Sequence, residues 1–316
     1  MIRTSHYLFA ALCLGSLFAC SRQFTDSYIV PKWSFAVFML FIVLAYEAVN
    51  ILFYRQNEQK DTRISVYGFI IVISCFLQAM FGVVQFFGFF QISTTLWVTG
   101  SFDNPAGFAA CLCAGFPFVG FLLSDSNKYI RYVGGLIGFV IVIAVILSQS
   151  RAGIMSIAFI CFILLNMKFF HKRWVKYLSL LCFALLLSGC YWMKKDSADG
   201  RLLIWRCSVS MVKDAPWLGH GIGSFEARYM DYQADYFRQY GLNRYSMLAD
   251  NVKHPFNEYL GVLLNFGFVG LLMILALITL LIYCYKKHPC AEKRIAFCSL
   301  ISIGVFSFFS YRFTYP

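Results

Sequence analysis

The chain has 316 residues, 60% of them hydrophobic and only 13% charged, and its 27 Lys and Arg against 15 Asp and Glu leave a formal net charge of +12. That balance excludes an ordinary soluble domain, in which about a quarter of residues are charged. It also removes the need for a nucleic-acid partner, because most of the cations sit in short loops between apolar runs.

In chain order the apolar runs are residues 2–20, 33–53, 64–87, 105–123, 132–147, 153–170, 177–193, 259–285 and 295–311. Most approach or exceed the ~20 apolar residues that a helix needs to cross a hydrocarbon core. Helices are the expected solution, since lipid offers no partner to backbone polar groups. The expected fold is an all-α integral membrane protein, one polytopic domain over 1–316 with about nine transmembrane helices. Leu17-Phe18-Ala19-Cys20 in the first run imitates a lipoprotein signal, although the bulky Phe18 argues against that reading. Glu47, deep in the second run, is either part of a transport pathway or a bonded packing residue.

Cations set the orientation. With the N-terminus in the cytoplasm, the inner segments hold Arg3; Arg55, Lys60 and Arg63; Lys128 and Arg131; Lys168, Lys172, Arg173 and Lys176; and Lys286, Lys287, Lys293 and Arg294. The short outer segments hold only Arg22, Lys32 and Arg151. The positive-inside rule then places the polar segment 194–258, 65 residues long, outside. A connection of that length between apolar runs is where chemistry is expected.

Three further elements share the outer face. Gly100-Ser101-Phe102-Asp103-Asn104-Pro105 opens into an apolar helix, with Asn104 as the expected cap and Pro105 at the first helical position. Ser148-Gln149-Ser150-Arg151-Ala152-Gly153 is a tight turn whose Arg151 is either a snorkelling anchor or an anion ligand. Within 194–258, Asp199-Gly200-Arg201 leads into a helical pattern with Leu202, Trp205, Val209 and Val212 on one stripe, ended by Asp214-Ala215-Pro216. Gly219-His220-Gly221-Ile222-Gly223-Ser224 follows, either a turn or a phosphate cradle, but no Rossmann fingerprint. A second helical pattern runs to about Tyr240, with Phe225, Tyr229, Tyr232, Tyr236 and Tyr240 on one side as packing or as a sugar platform. The segment closes with Lys253-His254-Pro255-Phe256-Asn257-Glu258-Tyr259-Leu260, then Gly267 and Gly270. A His at the lip of a span can move a proton near neutral pH. Of twelve cysteines only Cys207 lies in the long segment, so neither a disulfide framework nor a CxxC metal pair is present.

Together these pieces resemble the O-antigen ligase family over roughly residues 95 to 275. The match runs, in order, through Gly100-Ser101-Phe102 with Asn104-Pro105; Ser148, Ser150, Arg151 and Gly153; Gly200-Arg201 with Trp205, then Pro216 and the glycines at 219, 221 and 223; and Asn257-Glu258-Tyr259-Leu260 with Gly267 and Gly270. The resemblance implies a GT-C-type glycosyltransferase that uses a polyprenyl-diphosphate-linked oligosaccharide, without nucleotide sugar, cofactor or metal. The acceptor would be lipid A core or a protein hydroxyl, at the periplasmic face of the cytoplasmic (inner) membrane. Arg151 and Arg201 match the family's motifs and would hold the donor diphosphate, with Arg206 a further candidate. Arg201 would also take part in catalysis. Asn104, Ser150, Gly221, Gly223, Asn257 and Glu258 would support the site.

Two departures qualify the match. The family commonly has His directly before the last motif's Asn, where this chain has Phe256; His254, two positions earlier, is the expected general base, with His220 next in line. Family members also usually continue through further helices beyond the ninth run. A polymerase, whose acceptor is another lipid-linked glycan, shares the same donor chemistry. A transporter or flippase would draw on Glu47 and the Gly-broken spans, but no inverted repeat accompanies them.

Overall fold

The computed structural model describes residues 4–21, 29–53, 60–89, 98–168, 173–193, 195–287 and 290–310. Arg3, Arg22, Arg55, Lys172 and Lys194, and the ends of several expected runs, lie outside the described residues. Among those described, all regular structure is helical. The helices are α1 (Thr4–Phe18), α2 (Ile29–Phe53), α3 (Lys60–Phe86), α4 (Pro105–Gly115), α5 (Val119–Leu123), α6 (Lys128–Leu147), α7 (Arg151–Lys168), α8 (Arg173–Met193), α9 (Lys195–Asp214), α10 (Ser224–Tyr240), α11 (Glu258–Lys287) and α12 (Ala291–Phe309).

Six helical stretches are long and apolar enough to cross a membrane: Val30–Val49, Val66–Phe86, Pro105–Leu123, Lys128–Leu147, Arg173–Trp192 and Glu258–Lys287. Thr4–Phe18 and Arg151–Asn166 are shorter apolar helices. The expected ninth run falls on α12, where Glu292, Lys293 and Arg294 occupy the start and leave a short apolar remainder. The protein is thus a multi-pass membrane protein with six such stretches among the described residues.

The chain divides into two compact units, one of residues 1–160 with 290–303, the other of 161–289 with 304–314. In the first, α1 packs on α2 and α3, and α3 on α4 and α6. Small residues let these apolar helices approach closely: a Cβ on Gly115 would stand 2.0 Å from Cys75 Sγ. Ser302 Oγ lies 2.8 Å from Ser156 Oγ and donates to the Cys113 carbonyl at 2.8 Å, binding α12 to α7 and α4. Glu47 accepts from the Tyr67 hydroxyl at 3.2 Å, the bonded packing arrangement.

The second unit is built on the hairpin of α9 and α10. Its core is Leu203, Ile204, Cys207 and Met211 from α9, Phe225 and Tyr229 from α10, and Tyr245 and Leu264. The expected stripe is only partly the buried face: Trp205 and Val212 pack against this core, whereas Leu202 and Val209 are exposed. The tyrosine row of α10 is mostly packing: Phe225 stacks on Tyr229 with centroids 4.8 Å apart, and the Tyr232 hydroxyl donates to Asp214.

Gly267 (φ 61°, ψ −159°) breaks α11. The freed Leu264 and Asn265 carbonyls accept from the His220 and Gly221 N–H groups at 2.7 and 3.1 Å. In return Phe268 and Val269 donate to the Pro216 and Trp217 carbonyls at 2.8 and 3.2 Å. A broken helix at the edge of a span is sustainable when its backbone groups are satisfied in this way. Only glycine fits the crossing. A Cβ on Gly267 would lie 2.3 Å from the Trp217 carbonyl carbon, and one on Gly219 (φ 68°) 2.6 Å from the Leu264 oxygen.

Candidate active site

In the first unit, two of the motif residues are helix caps. Asn104 Oδ1 accepts from the Gly107 N–H at 2.7 Å and starts α4, with Pro105 at the first position. Ser150 Oγ accepts from the Gly153 N–H at 3.3 Å and starts α7, which places Arg151, half-buried, on its first turn. The preceding Gln149 is left-handed (φ 53°), and this makes the turn tight enough for Ser148 Oγ to accept from the Ser150 N–H at 3.3 Å.

The Gly100 segment is fixed from α3. Gln85 Oε1 accepts from the Thr99 and Gly100 N–H groups, both at 2.9 Å, and Gln78 Nε2 donates to Ser101 Oγ at 3.0 Å. Lys32, treated above as an outer-loop cation, is buried here. Its ammonium donates to Ser101 Oγ at 3.0 Å and to the Leu17 carbonyl, and lies 4.8 Å from the Phe102 ring centroid. Nothing local in the sequence signals this, since Lys32 and Ser101 are separated by 69 positions.

In the second unit, Arg201, Trp205 and the segment before α11 come together. The Arg201 guanidinium lies 5.1 Å from the Phe256 ring centroid and donates to the Phe309 carbonyl at the end of α12. Cations at helix C-termini are favoured by the dipole. Trp205 Nε1 donates to the Pro255 carbonyl at 3.0 Å, and its ring meets Phe308 edge-on. Asn257, buried, caps α11 by accepting from the Tyr259 and Leu260 N–H groups at 2.9 and 3.1 Å; Glu258 is the first helical residue. Phe256, at the position where the family commonly carries His, is thus the platform beneath Arg201.

His254 is half-buried. Burial holds its pKa below the usual 6.5, with Lys253 adding to the effect and Glu226 and Glu258 opposing it. The backbone bends at residues 253, 254 and 256, with Phe256 left-handed (φ 53°). His220 is committed elsewhere, with Nε2 2.8 Å from the Met211 carbonyl oxygen and Nδ1 2.9 Å from Arg228 Nη1. A guanidinium only donates and a carbonyl only accepts, so Nδ1 accepts from Arg228, Nε2 donates to the Met211 carbonyl, and both nitrogens are engaged.

The glycine run is likewise structural. The N–H groups of 219, 220 and 221 go to the Ala215, Leu264 and Asn265 carbonyls, and that of Ser224 to Gly221. Gly223 (φ 79°) starts α10. Arg206, exposed, donates to the Tyr236 hydroxyl at 3.4 Å and lies over Tyr245.

Residues 136–275 match the family model described as O-antigen ligase. The match supports a likeness of this stretch to the O-antigen ligase family. No curated protein and no solved structure gives a significant match to the chain. The O-antigen ligase match takes in Ser150, Arg151, Arg201, the glycine run and Asn257 through Gly270, and leaves out the segment around Gly100. The match points to an O-antigen ligase- or polymerase-like function, a glycosyltransferase-like activity on lipid-linked glycans in a membrane.

Proposed function

We propose that the protein transfers a glycan from a polyprenyl-diphosphate carrier to an acceptor hydroxyl at the periplasmic face of the cytoplasmic membrane, the acceptor being lipid A core or protein. His254 takes the proton of the acceptor hydroxyl as its oxygen attacks the anomeric carbon. The bond from that carbon to the diphosphate oxygen breaks, and polyprenyl diphosphate leaves with the electron pair. Arg201 stabilises the leaving diphosphate, a task suited to the guanidinium fork, and Arg151 is a separate candidate for binding an anion of the donor. The step needs no metal. One observation carries the reading: the O-antigen ligase match spans both arginines and the Asn257–Glu258 cap.

His254 as base draws support from its half-burial and lowered pKa, which keep the imidazole neutral at pH 7. The transporter alternative loses its main support, because Glu47 is bonded to Tyr67. A polymerase reading stands beside the ligase one, since the family covers both. A deletion strain separates them. Accumulated donor with unmodified lipid A core favours the ligase, single-unit glycans the polymerase, and unmodified glycoproteins a protein acceptor.

A further inference from the structure

Three separated segments of the second unit meet at one exposed place. Arg206 comes from α9, Tyr236 and Tyr240 from α10, and Arg244 and Tyr245 from the loop that follows. Both guanidiniums lie over the Tyr245 ring, with carbons 5.2 and 4.7 Å from its centroid. Arg206 donates to the Tyr236 hydroxyl at 3.4 Å and Arg244 to the Tyr245 hydroxyl at 2.6 Å. These acceptors are hydroxyls, and the two cations, both against one ring, repel one another.

No carboxylate compensates them at contact distance. Among the described residues, the ion pairs in this unit are Arg238–Asp235 and Lys253–Glu226. Asp199 attracts Arg244, but it is buried and already accepts from the Tyr191 hydroxyl at 3.0 Å. Each guanidinium has five N–H donors, more than these bonds use. Beside them Tyr240 is 61% exposed, its ring 4.9 Å from that of Tyr236. Asn243 Nδ2 reaches the Tyr236 hydroxyl at 3.5 Å.

We propose that Arg206 and Arg244 bind the anionic group of a phosphate- or carboxylate-bearing sugar, whose ring lies against Tyr240. This is a glycan subsite distinct from Arg201 and His254. Paired forks suit a phosphate or carboxylate, and the adjoining aromatic face accepts the sugar's C–H surface. The choice of a sugar over a bare anion rests on the glycan-transfer reading; the test measures binding alone, so failure of transfer and failure of this subsite are told apart.

The full chain in nanodiscs of zwitterionic lipid is titrated with glucose 6-phosphate, glucose and inorganic phosphate. The expected result is at least a tenfold preference for glucose 6-phosphate over either part, lost in the Arg206→Gln/Arg244→Gln double variant. Tyr240→Ala should keep phosphate binding and lose the preference. A second measurement needs no variant: glucose 6-phosphate should protect Arg206 and Arg244 of the unmodified protein from phenylglyoxal, and leave Arg238 unprotected. Equal affinity for phosphate and glucose 6-phosphate, unprotected arginines, or displacement of the probe by phosphatidylglycerol in the disc would each overturn the assignment.

Discussion

At the scale of single residues, motif polarity and chemistry part company. Asn104, Ser150 and Asn257 accept bonds from helix N-termini. Each is expected to act by holding its helix start, at a cost of about 0.5–2 kcal/mol on replacement by Ala. For Asn104 that role is legible in the sequence, since Asn before Pro announces a cap; for Ser150 and Asn257 it emerges from the structure. The environments of Arg201 and His254 are not, because Phe309 and Glu226 reach them only through tertiary packing. Arg201→Lys keeps the charge and loses the fork; transfer is expected to fall by about tenfold or more, as the loss of a charge-assisted contact of ~1.5–3 kcal/mol implies. Arg151→Lys should behave the same way. Unchanged turnover in both, at normal expression, would return them to anchoring roles. His254 has a pH signature. Its pKa is lowered, so the base form persists below pH 6.5 and is lost only as pH falls further through the folded value. The acid limb of the rate profile should therefore lie below pH 6.5, and His254→Ala should abolish that limb and slow transfer about 10²–10⁴-fold. A rate that ignores both pH and substitution places the base elsewhere.

At the scale of elements, the glycines carry the lesson. Their positions read equally as turn or cradle, because a sequence window does not show which carbonyls will claim their N–H groups. The break at Gly267 claims those of His220 and Gly221, and Ala215 that of Gly219. Gly219 and Gly267 pass backbone atoms at distances that no Cβ tolerates. Gly219→Ala is expected to lower stability by about 1–3 kcal/mol from the left-handed backbone alone, with more from the clash, whereas Gly221→Ala, with open space about its Cβ, meets only the backbone term. Thermal unfolding in detergent checks the order; equal midpoints would mean the crossing relaxes freely. The helices α9 and α10 were legible from their periodicity and from Asp214-Ala215-Pro216. The buried face of α9 was legible only in part: Trp205 and Val212 pack on the core as the stripe suggests, while Leu203, Ile204, Cys207 and Met211 are buried by contacts with Leu264 and α10 that no local pattern announces.

At the scale of the whole molecule, hydropathy reads the helical membrane class directly, because lipid permits few alternatives. The number of spans is harder. Charges at the start of α12 and the shortness of α1 and the apolar part of α7 leave six stretches that qualify by length and composition. Topology is tested by impermeant labelling of single cysteines in a background free of other reactive thiols: Asp235→Cys should label from outside and Lys172→Cys should not, and the reverse would invert the protein. The central claim is glycan transfer by this chain, and reconstitution tests it most directly. Purified protein, polyprenyl-diphosphate-linked oligosaccharide and a hydroxyl acceptor in liposomes should release polyprenyl diphosphate in step with glycosylated acceptor, with both products lost together in Arg201→Lys. Release without glycosylated acceptor, or equal product from Arg201→Lys, would contradict it.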